Sequence, residues 1–540
     1  MLSNNRETRF HIILLISCFL LSYLSYFNII NSFFLADDFN WIHRIKTTGA
    51  FGVWTTDADA FFRPIISLTL FVDYKIRGLN PIGYHLTNIS FHALCAFLLY
   101  QILSHLLHQA QFQIQQIKLI SITATLLFII LPSHVEAVTW ISARSDLVAT
   151  CFCLASFYYY LSYKNEHQIY KLAFSYLFFL IALLSKESVI IYPGIIFAYD
   201  LYVFLSKNKD KNKTIKTIFL SPLTYALLVI LYFGIRYLRL GIIIGGYGTS
   251  VHLKFDSYTI LRGLGSSLRV LIPPIYQSKE PDWQLGFLIL IAALLLWMFT
   301  YSWDNFFYQK ISRLLLFLIA AFLISLIPVI NLVVSVQDNQ GERFLYFPSV
   351  FVVMIFTLTI STILWRYQFI LLASLTVLIL FFSHRLYTSN QNWQIAGTIS
   401  QQILEDINSI AQTESLFVIN LPDHFNGAYI YRNGLYPATQ LFCEDKNIKY
   451  LPIVLFHNLI DPDDEVEVTA LGSNRYHVKL LQPKAFFYNV SIATEQILET
   501  PHFNIVEFDW TNRQSFTVEV KSPPFQDQVV YYSGGHLSRI

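Results

Sequence analysis

The sequence predicts a polytopic α-helical membrane protein with a C-terminal β-rich domain. Three features predict it. Apolar runs of roughly 20 residues recur from the N-terminus to residue 383, each long enough to cross a bilayer. Hydrophobic residues make up 54% of the chain and charged ones 13%, against about 25% charged in soluble domains. After Ser415 the apolar period shortens to two, which marks half-buried strands. The spans must be helices, because backbone groups in lipid find partners only within their own segment.

The formal net charge of +2 is too small to suggest a nucleic-acid partner. Of the five cysteines, Cys18, Cys95, Cys151 and Cys153 lie in apolar runs and Cys443 stands alone in the tail. No His or second Cys pair stands at ligand spacing, so neither a cysteine metal site nor a disulfide framework is expected.

The first span covers about residues 10–30 and lacks a small-residue cleavage site, which predicts a retained helix. Arg6 and Arg9 precede it and predict a cytoplasmic N-terminus. A polar, aromatic segment of about 50 residues follows, long for a loop. Further spans are expected at 86–107, 117–131, from Asp146 to 163, up to 185, up to 205, and at 219–235, 284–301, 314–331, 347–364 and 368–383. Residues 261–275 are apolar but carry Arg262, Arg269, Pro273 and Pro274, and read as a helix lying on the outer surface. A crossing there would put Lys310 and Arg313 outside. The densest basic cluster, Lys207 to Lys216, reads as a solvated cytoplasmic anchor. About eleven crossings then place the tail outside. The boundary is drawn at 383/384: residues 1–383 form the membrane core, and 384–540 form an extracytoplasmic domain with one helix followed by strands.

This topology gathers ionisable residues at the outer face: Asp37 and Asp38, Arg63, His85, His134 with Glu136, Arg144 with Asp146, Lys186 with Glu187, and Glu342 with Arg343. Charges at membrane depth are costly and usually functional. Each group also has a plain structural explanation. Asp37-Asp38 suits a helix N-cap. His85, Asn88 and His92 share one helix face and suit a polar seam. Lys186 can be neutralised by Glu187, and Arg343 by Glu342 or Asp338. Together they describe a carboxylate-bearing cavity with cations beside lipid, suited to an anionic, lipid-borne substrate. Carboxylates activate a hydroxyl or hold a metal, and cations stabilise a phosphate leaving group.

Several stretches resemble the transmembrane-and-TPR protein O-mannosyltransferases. They are Phe62-Arg63-Pro64-Ile65, Gly78 to Asn88, Pro132-Ser133-His134-Val135-Glu136-Ala137-Val138, Ile141 to Asp146, Leu184-Ser185-Lys186-Glu187-Ser188, and Glu342 to Ser349. Asn80 to Asn88 and Lys186-Glu187 are the most specific. The resemblance implies a GT-C fold and a glycosyltransferase using a polyprenyl-phosphate sugar donor. Asp37 and Asp38 would be the catalytic acids. Arg63, His85, His134, Glu136, Arg144, Asp146, Lys186, Glu187, Glu342 and Arg343 would bind the donor phosphate or substrate. Asp38 and Asp146 are candidate ligands for a divalent metal, Mg or Mn. The TPR array is missing and a β-rich tail stands in its place, which leaves a protein, lipid or envelope-glycan acceptor open. Residues 416–435 resemble tails of uncharacterised prokaryotic members, pointing to a bacterial inner membrane. A transporter or flippase of lipid-linked glycans is the alternative, but the inverted repeats of interrupted helices that would favour it are not evident.

Overall fold

The structure, a computed structural model, describes residues 2–49, 61–206, 211–243, 306–330, 332, 340–412, 414–472, 474–488, 499–521 and 528–540. The surface helix expected at 261–275, the span expected at 284–301, Asp338 and part of the basic cluster lie outside these residues.

Helix α1 (Leu2–Ser25) opens the bundle and packs on α4 (Pro81–Gln109). Between them, the segment expected to be a long loop folds into two helices, α2 (Asp37–Thr48) and α3 (Pro64–Arg77). Pro64 and Pro81 each begin a helix, where the missing N–H is harmless. Asn80 caps α4 by accepting from the Ile82 N–H at 3.0 Å. Helix α4 then packs against α5 (Ile114–Ile129) and α7 (Arg144–Glu166), with the short α6 (Val135–Thr139) bridging those two. Pro132 follows α5, and the chain bends there by 51°. Helix α7 pairs with α8 (Ile169–Leu183), and α9 (Tyr192–Ser206) lies between α10 (Lys211–Leu240) and α11 (Phe306–Leu326). Helix α12 (Tyr346–Leu364) closes the bundle against α5 and α11.

Among the described residues, seven helices are long and apolar enough to cross a membrane, or eight if the bent pair is one span. The apolar faces of α1, α10 and the next helix, α13 (Gln368–Ile410), are left uncovered by protein: Leu24, Leu238, Phe369 and Val377 are all exposed. Such faces suit lipid, which is as apolar as they are.

The boundary expected at 383/384 falls inside α13, an unbroken helix of 43 residues. Its first half bares Phe369, Val377 and Leu380, while its second half buries Trp393, Ile403, Leu404 and Ile407 against the tail. The hydropathy changes at residue 383, but no proline or helix cap interrupts the backbone there, so the helix continues as a mast of about 65 Å.

The tail contains two sheets. In the first, β1 (Phe417–Phe425) is central: it pairs in parallel with β3 (Ile453–Leu459) and β9 (Val529–Ser533), and antiparallel with the short β2 (Ala428–Tyr429). Strands β6 (Phe487–Tyr488) and β10 (His536–Arg539) form its edges. The second sheet is an antiparallel β4-β5-β8-β7 array, from β4 (Val466–Ala470), β5 (Arg475–Leu480), β7 (Phe503–Phe508) and β8 (Ser515–Val520). β4, β5 and β8 are the period-two runs of the sequence. All nine residues of β1 are buried, so it shows no alternation. Helix α14 (Leu435–Phe442) leaves the first sheet and packs on α2.

Gly397 lets α13 touch the chain that follows α1. A Cβ there would lie 2.5 Å from Ser32 Oγ and 2.9 Å from the Phe33 nitrogen. Alanine favours a helix over glycine by about 1 kcal/mol, but crowding of this kind costs about 1–3 kcal/mol. Gly397→Ala is therefore expected to lower the melting temperature of the detergent-solubilised protein. An unchanged or raised value would refute the contact.

Candidate active site

The acid pair begins α2 and its two carboxylates part company. Ala36, just before it, has φ 45° and ψ −115°, a backbone state unusual for a residue with a side chain. Asp38 turns inward and is buried. Its Oδ1 accepts from the Ser142 N–H at 2.7 Å and the Ser142 hydroxyl at 2.5 Å, and its Oδ2 accepts from the Leu35 N–H at 3.1 Å. Burial pushes its carboxyl up to about 7; the bonds from Ser142 and Leu35 pull the other way, and the Asp37 charge adds to the rise. Asp37 is partly exposed, and its Oδ1 accepts from Asn433 Nδ2 at 3.1 Å.

Ser142 precedes the first turn of α7, which supplies Arg144 and Asp146. Arg144 is fully buried. Its guanidinium pairs with Asp73 at 2.6 Å and donates to Asn88 Oδ1 at 2.7 Å, the Tyr84 carbonyl at 3.0 Å and Thr69 Oγ1 at 3.4 Å. Asn88 donates in turn to the carbonyls of Val138 and Trp140, at 3.2 and 3.3 Å. The polar helix face of α4 is therefore a seam that holds the loop before α7.

The neighbouring charges pair across motifs rather than within them. Lys186 binds Asp146 Oδ1 at 2.5 Å, not its neighbour Glu187. Glu187 instead takes both ends of the Arg63 fork, at 3.0 and 2.5 Å. Arg343 pairs with Glu136, whose Oε2 also accepts the Arg343 backbone N–H at 3.1 Å. Residues adjacent in sequence point in different directions from a helical turn, so they do not face each other. Glu342 is buried at the start of the short turn Glu342–Leu345. His85 donates from Nε2 to the Ser32 carbonyl at 3.0 Å, and His134 Nε2 lies 2.7 Å from Ser349 Oγ. Both are buried.

Asp146, Lys186, Thr150, Ser188, Ser325 and Phe344 line a narrow cleft. Among the described residues, Asp146 Oδ2 is buried there without a hydrogen-bond partner. Of the two candidate metal ligands, Asp38 accepts from Ser142 and Leu35 through both oxygens, whereas Asp146 pairs with Lys186 through Oδ1 alone. Among the described residues, no three His, Cys, Asp or Glu side chains group as metal ligands.

Asp73, Ser142 and Asn433 join the site although the sequence reading did not pick them as site residues. Asp73 had a signal: it is the lone acid of an apolar helix, and a buried carboxylate needs a cation. Ser142 and Asn433 lie within the stretches 141–146 and 416–435 noted from the sequence, but their partners, 104 and 396 residues away, left no local trace.

Two measurements check this geometry. Arg144→Met leaves Asp73 buried without its cation, with only the Thr87 hydroxyl still donating to it at 2.8 Å, which is expected to cost about 3–5 kcal/mol, and adding Asp73→Asn should restore part of it. No rescue would refute the pair. Because the folded protein raises the Asp38 carboxyl, its stability contribution is full below the ordinary carboxylate range and is lost as pH rises through about 7. Melting temperatures of wild type should therefore fall relative to Asp38→Asn between about pH 4 and pH 8. Parallel curves would argue against the raised value.

No protein-family model matches the chain. The likeness read from the motifs extends over aligned stretches of this chain. The protein O-mannosyl-transferase TMTC3 of Homo sapiens is 31% identical over 145 residues, which is 26% of this chain and 15% of that protein. The protein O-mannosyl-transferase F38B6.6 of Caenorhabditis elegans is 26% identical over 316 residues, 53% of this chain and 40% of that protein. The chain thus spans well under half the length of these relatives. Among solved structures, ArnT from Cupriavidus metallidurans bound to undecaprenyl phosphate aligns over 85% of this chain and 96% of its own. The TM-score is 0.43 at 10% identity, below the level at which two folds are equated. The chain is similar in sequence to protein O-mannosyl-transferases, and it is built as a polytopic helical core carrying a β-rich tail.

Proposed function

We propose that this protein is an integral-membrane glycosyltransferase. It moves a sugar from a polyprenyl-phosphate-linked donor to an acceptor hydroxyl at the outer face of a bacterial inner membrane. The observation that carries the reading is one continuous connection. Helix α2, with its acid pair, is bonded through Ser142 to the first turn of α7, where Asp146 and Lys186 flank a pocket. The relatives' own name, protein O-mannosyl-transferase, supports the same reaction class. With the N-terminus cytoplasmic, the acid pair and the tail lie outside together.

In this reading the partly exposed Asp37 takes the proton of the acceptor hydroxyl. The oxygen attacks the anomeric carbon, and the bond from that carbon to the phosphate oxygen breaks. The electron pair leaves on polyprenyl phosphate, and a single displacement inverts the anomeric centre. Lys186 turns from Asp146 to share its charge with the departing phosphate. Asp146 Oδ2, left without a partner, accepts a hydroxyl of the donor sugar. Arg63 holds Glu187 in place at the rim of the same cluster. Asp38 fixes the direction of Asp37 rather than meeting substrate. The acceptor is a protein, a lipid or an envelope glycan.

Asp37→Asn is expected to cut transfer by about a hundredfold or more while membrane insertion and abundance stay normal. Mass spectrometry of envelope glycans and lipids in a complemented deletion strain reads the outcome. Full transfer by the variant would overturn the assignment of the base. Lys186→Gln is expected to weaken donor use about tenfold to a hundredfold. Unchanged donor dependence would leave Lys186 as a structural partner of Asp146.

A further inference from the structure

We infer that the tail segment 428–435 is a positioning element for the acid pair, and that Asn433 aims Asp37 at the acceptor. The inference rests on the glycosyltransferase reading of the same site.

Three observations meet at this segment. First, the tail sets the backbone that precedes the acids. The Ala36 N–H donates to the Ile430 carbonyl at 2.8 Å. Gly434 sits so close on the other side that a Cβ there would collide with the Ala36 carbonyl oxygen. Ala36 is thus gripped at both its amide and its carbonyl while holding a positive φ. A backbone state of this kind persists only where its surroundings over-determine it. The left-handed turn at Ala36 is what sends Asp38 inward to Ser142 and leaves Asp37 at the surface.

Second, Asn433 grips α2 twice. Its Nδ2 donates to Asp37 Oδ1 at 3.1 Å, and its carbonyl accepts from Asn40 Nδ2 at 3.0 Å. The two partners lie one helical turn apart on α2, so the bonds fix rotation of the helix as well as its distance. Tyr431 stacks on Phe39 from the same side, with centroids 5.5 Å apart and planes 17° from parallel.

Third, the segment is itself anchored. Arg432 donates from Nε to Asp423 Oδ1 at 2.9 Å and pairs with the other oxygen, and it reaches Gln340 at 3.0 Å. Burial alone would raise Asp423, but the Arg432 hydrogen bonds and charge outweigh it and hold the carboxyl below its usual range. Asp423 belongs to β1, the central strand of the tail. The tail therefore transmits its rigidity to Asp37 through a loop, while Asn433 itself remains exposed and within reach of an acceptor.

Asn433 is a positioning residue: it stabilises the charged, correctly turned form of Asp37 that receives the proton. The test uses the full-length protein in proteoliposomes. The donor is the polyprenyl-phosphate-sugar fraction extracted from host membranes, and the acceptor is envelope material from a deletion strain, with product read by mass spectrometry. Asn433→Ala is expected to lower kcat about tenfold, since a hydrogen bond to a charged group is lost. The KM for donor should stay near its wild-type value. The acid limb of the pH–rate profile should move to higher pH, because the charged form of Asp37 loses a donor. Asn433→Asp should cost more than Asn433→Ala, because it adds like charge at the same place. Wild-type kcat and pH profile in both variants would overturn the inference. Normal abundance and melting temperature are expected, since Asn433 is exposed, and they separate positioning from folding. Asp37→Asn, measured alongside, separates the two levels of the argument. Full transfer by Asp37→Asn sinks the reading of the site itself, whereas an inactive Asp37→Asn beside a fully active Asn433→Ala sinks only the role of the tail.

Discussion

The architecture of the site end of the bundle depends on one buried guanidinium. Arg144 is 0% exposed and sits where α3, α4 and α7 meet. Such a charge is tolerable in a low-dielectric setting only with a carboxylate and a full set of acceptors. Asp73 provides the carboxylate, and Asn88, the Tyr84 carbonyl and Thr69 provide the acceptors. The planar fork of arginine fits this arrangement, whereas the single ammonium of lysine reaches fewer of these atoms at once. Everything else at the site is hung from this point. Ser142 lies two residues before Arg144 and holds Asp38; Asp146 lies two residues after it and holds Lys186.

This explains why the charges pair between motifs. A helix start projects successive side chains in different directions, so one short stretch can serve three neighbours. Ser142, Arg144 and Asp146 each reach a different element. The Arg63–Glu187 and Arg343–Glu136 pairs extend the same pattern to α3 and to the start of α12. This end of the bundle is thus a lattice of cross-linked segments, and the paired charges of each motif find their partners in another.

The tail contributes to the site as well as following it. Helix α13 carries the backbone without interruption from lipid-facing residues to the tail core, and residues 428–435 fold back onto α2. The acids are consequently held from two sides: by the membrane core through Ser142, and by the tail through Ile430 and Asn433. The strained turn at Ala36 is the physical trace of that double hold.

Hydropathy and period were enough to predict the class of the molecule, most of its helices and three of its strands, because these depend on residues close in sequence. Twelve ionisable residues were likewise picked out at one end of the bundle, because charge in an apolar run is conspicuous by itself. Pairing was not legible. Asp146 with Lys186, Asp38 with Ser142 and Asp37 with Asn433 each join segments far apart in the chain, and no local pattern records such a meeting. The same holds for β1, whose burial on both faces erased the alternation that betrays a strand, and for α13, where hydropathy changed but the helix did not end. Local sequence determined which elements form and where charge enters the membrane. Only the tertiary packing decided which charge neutralises which, and which of two adjacent acids is left facing the solvent.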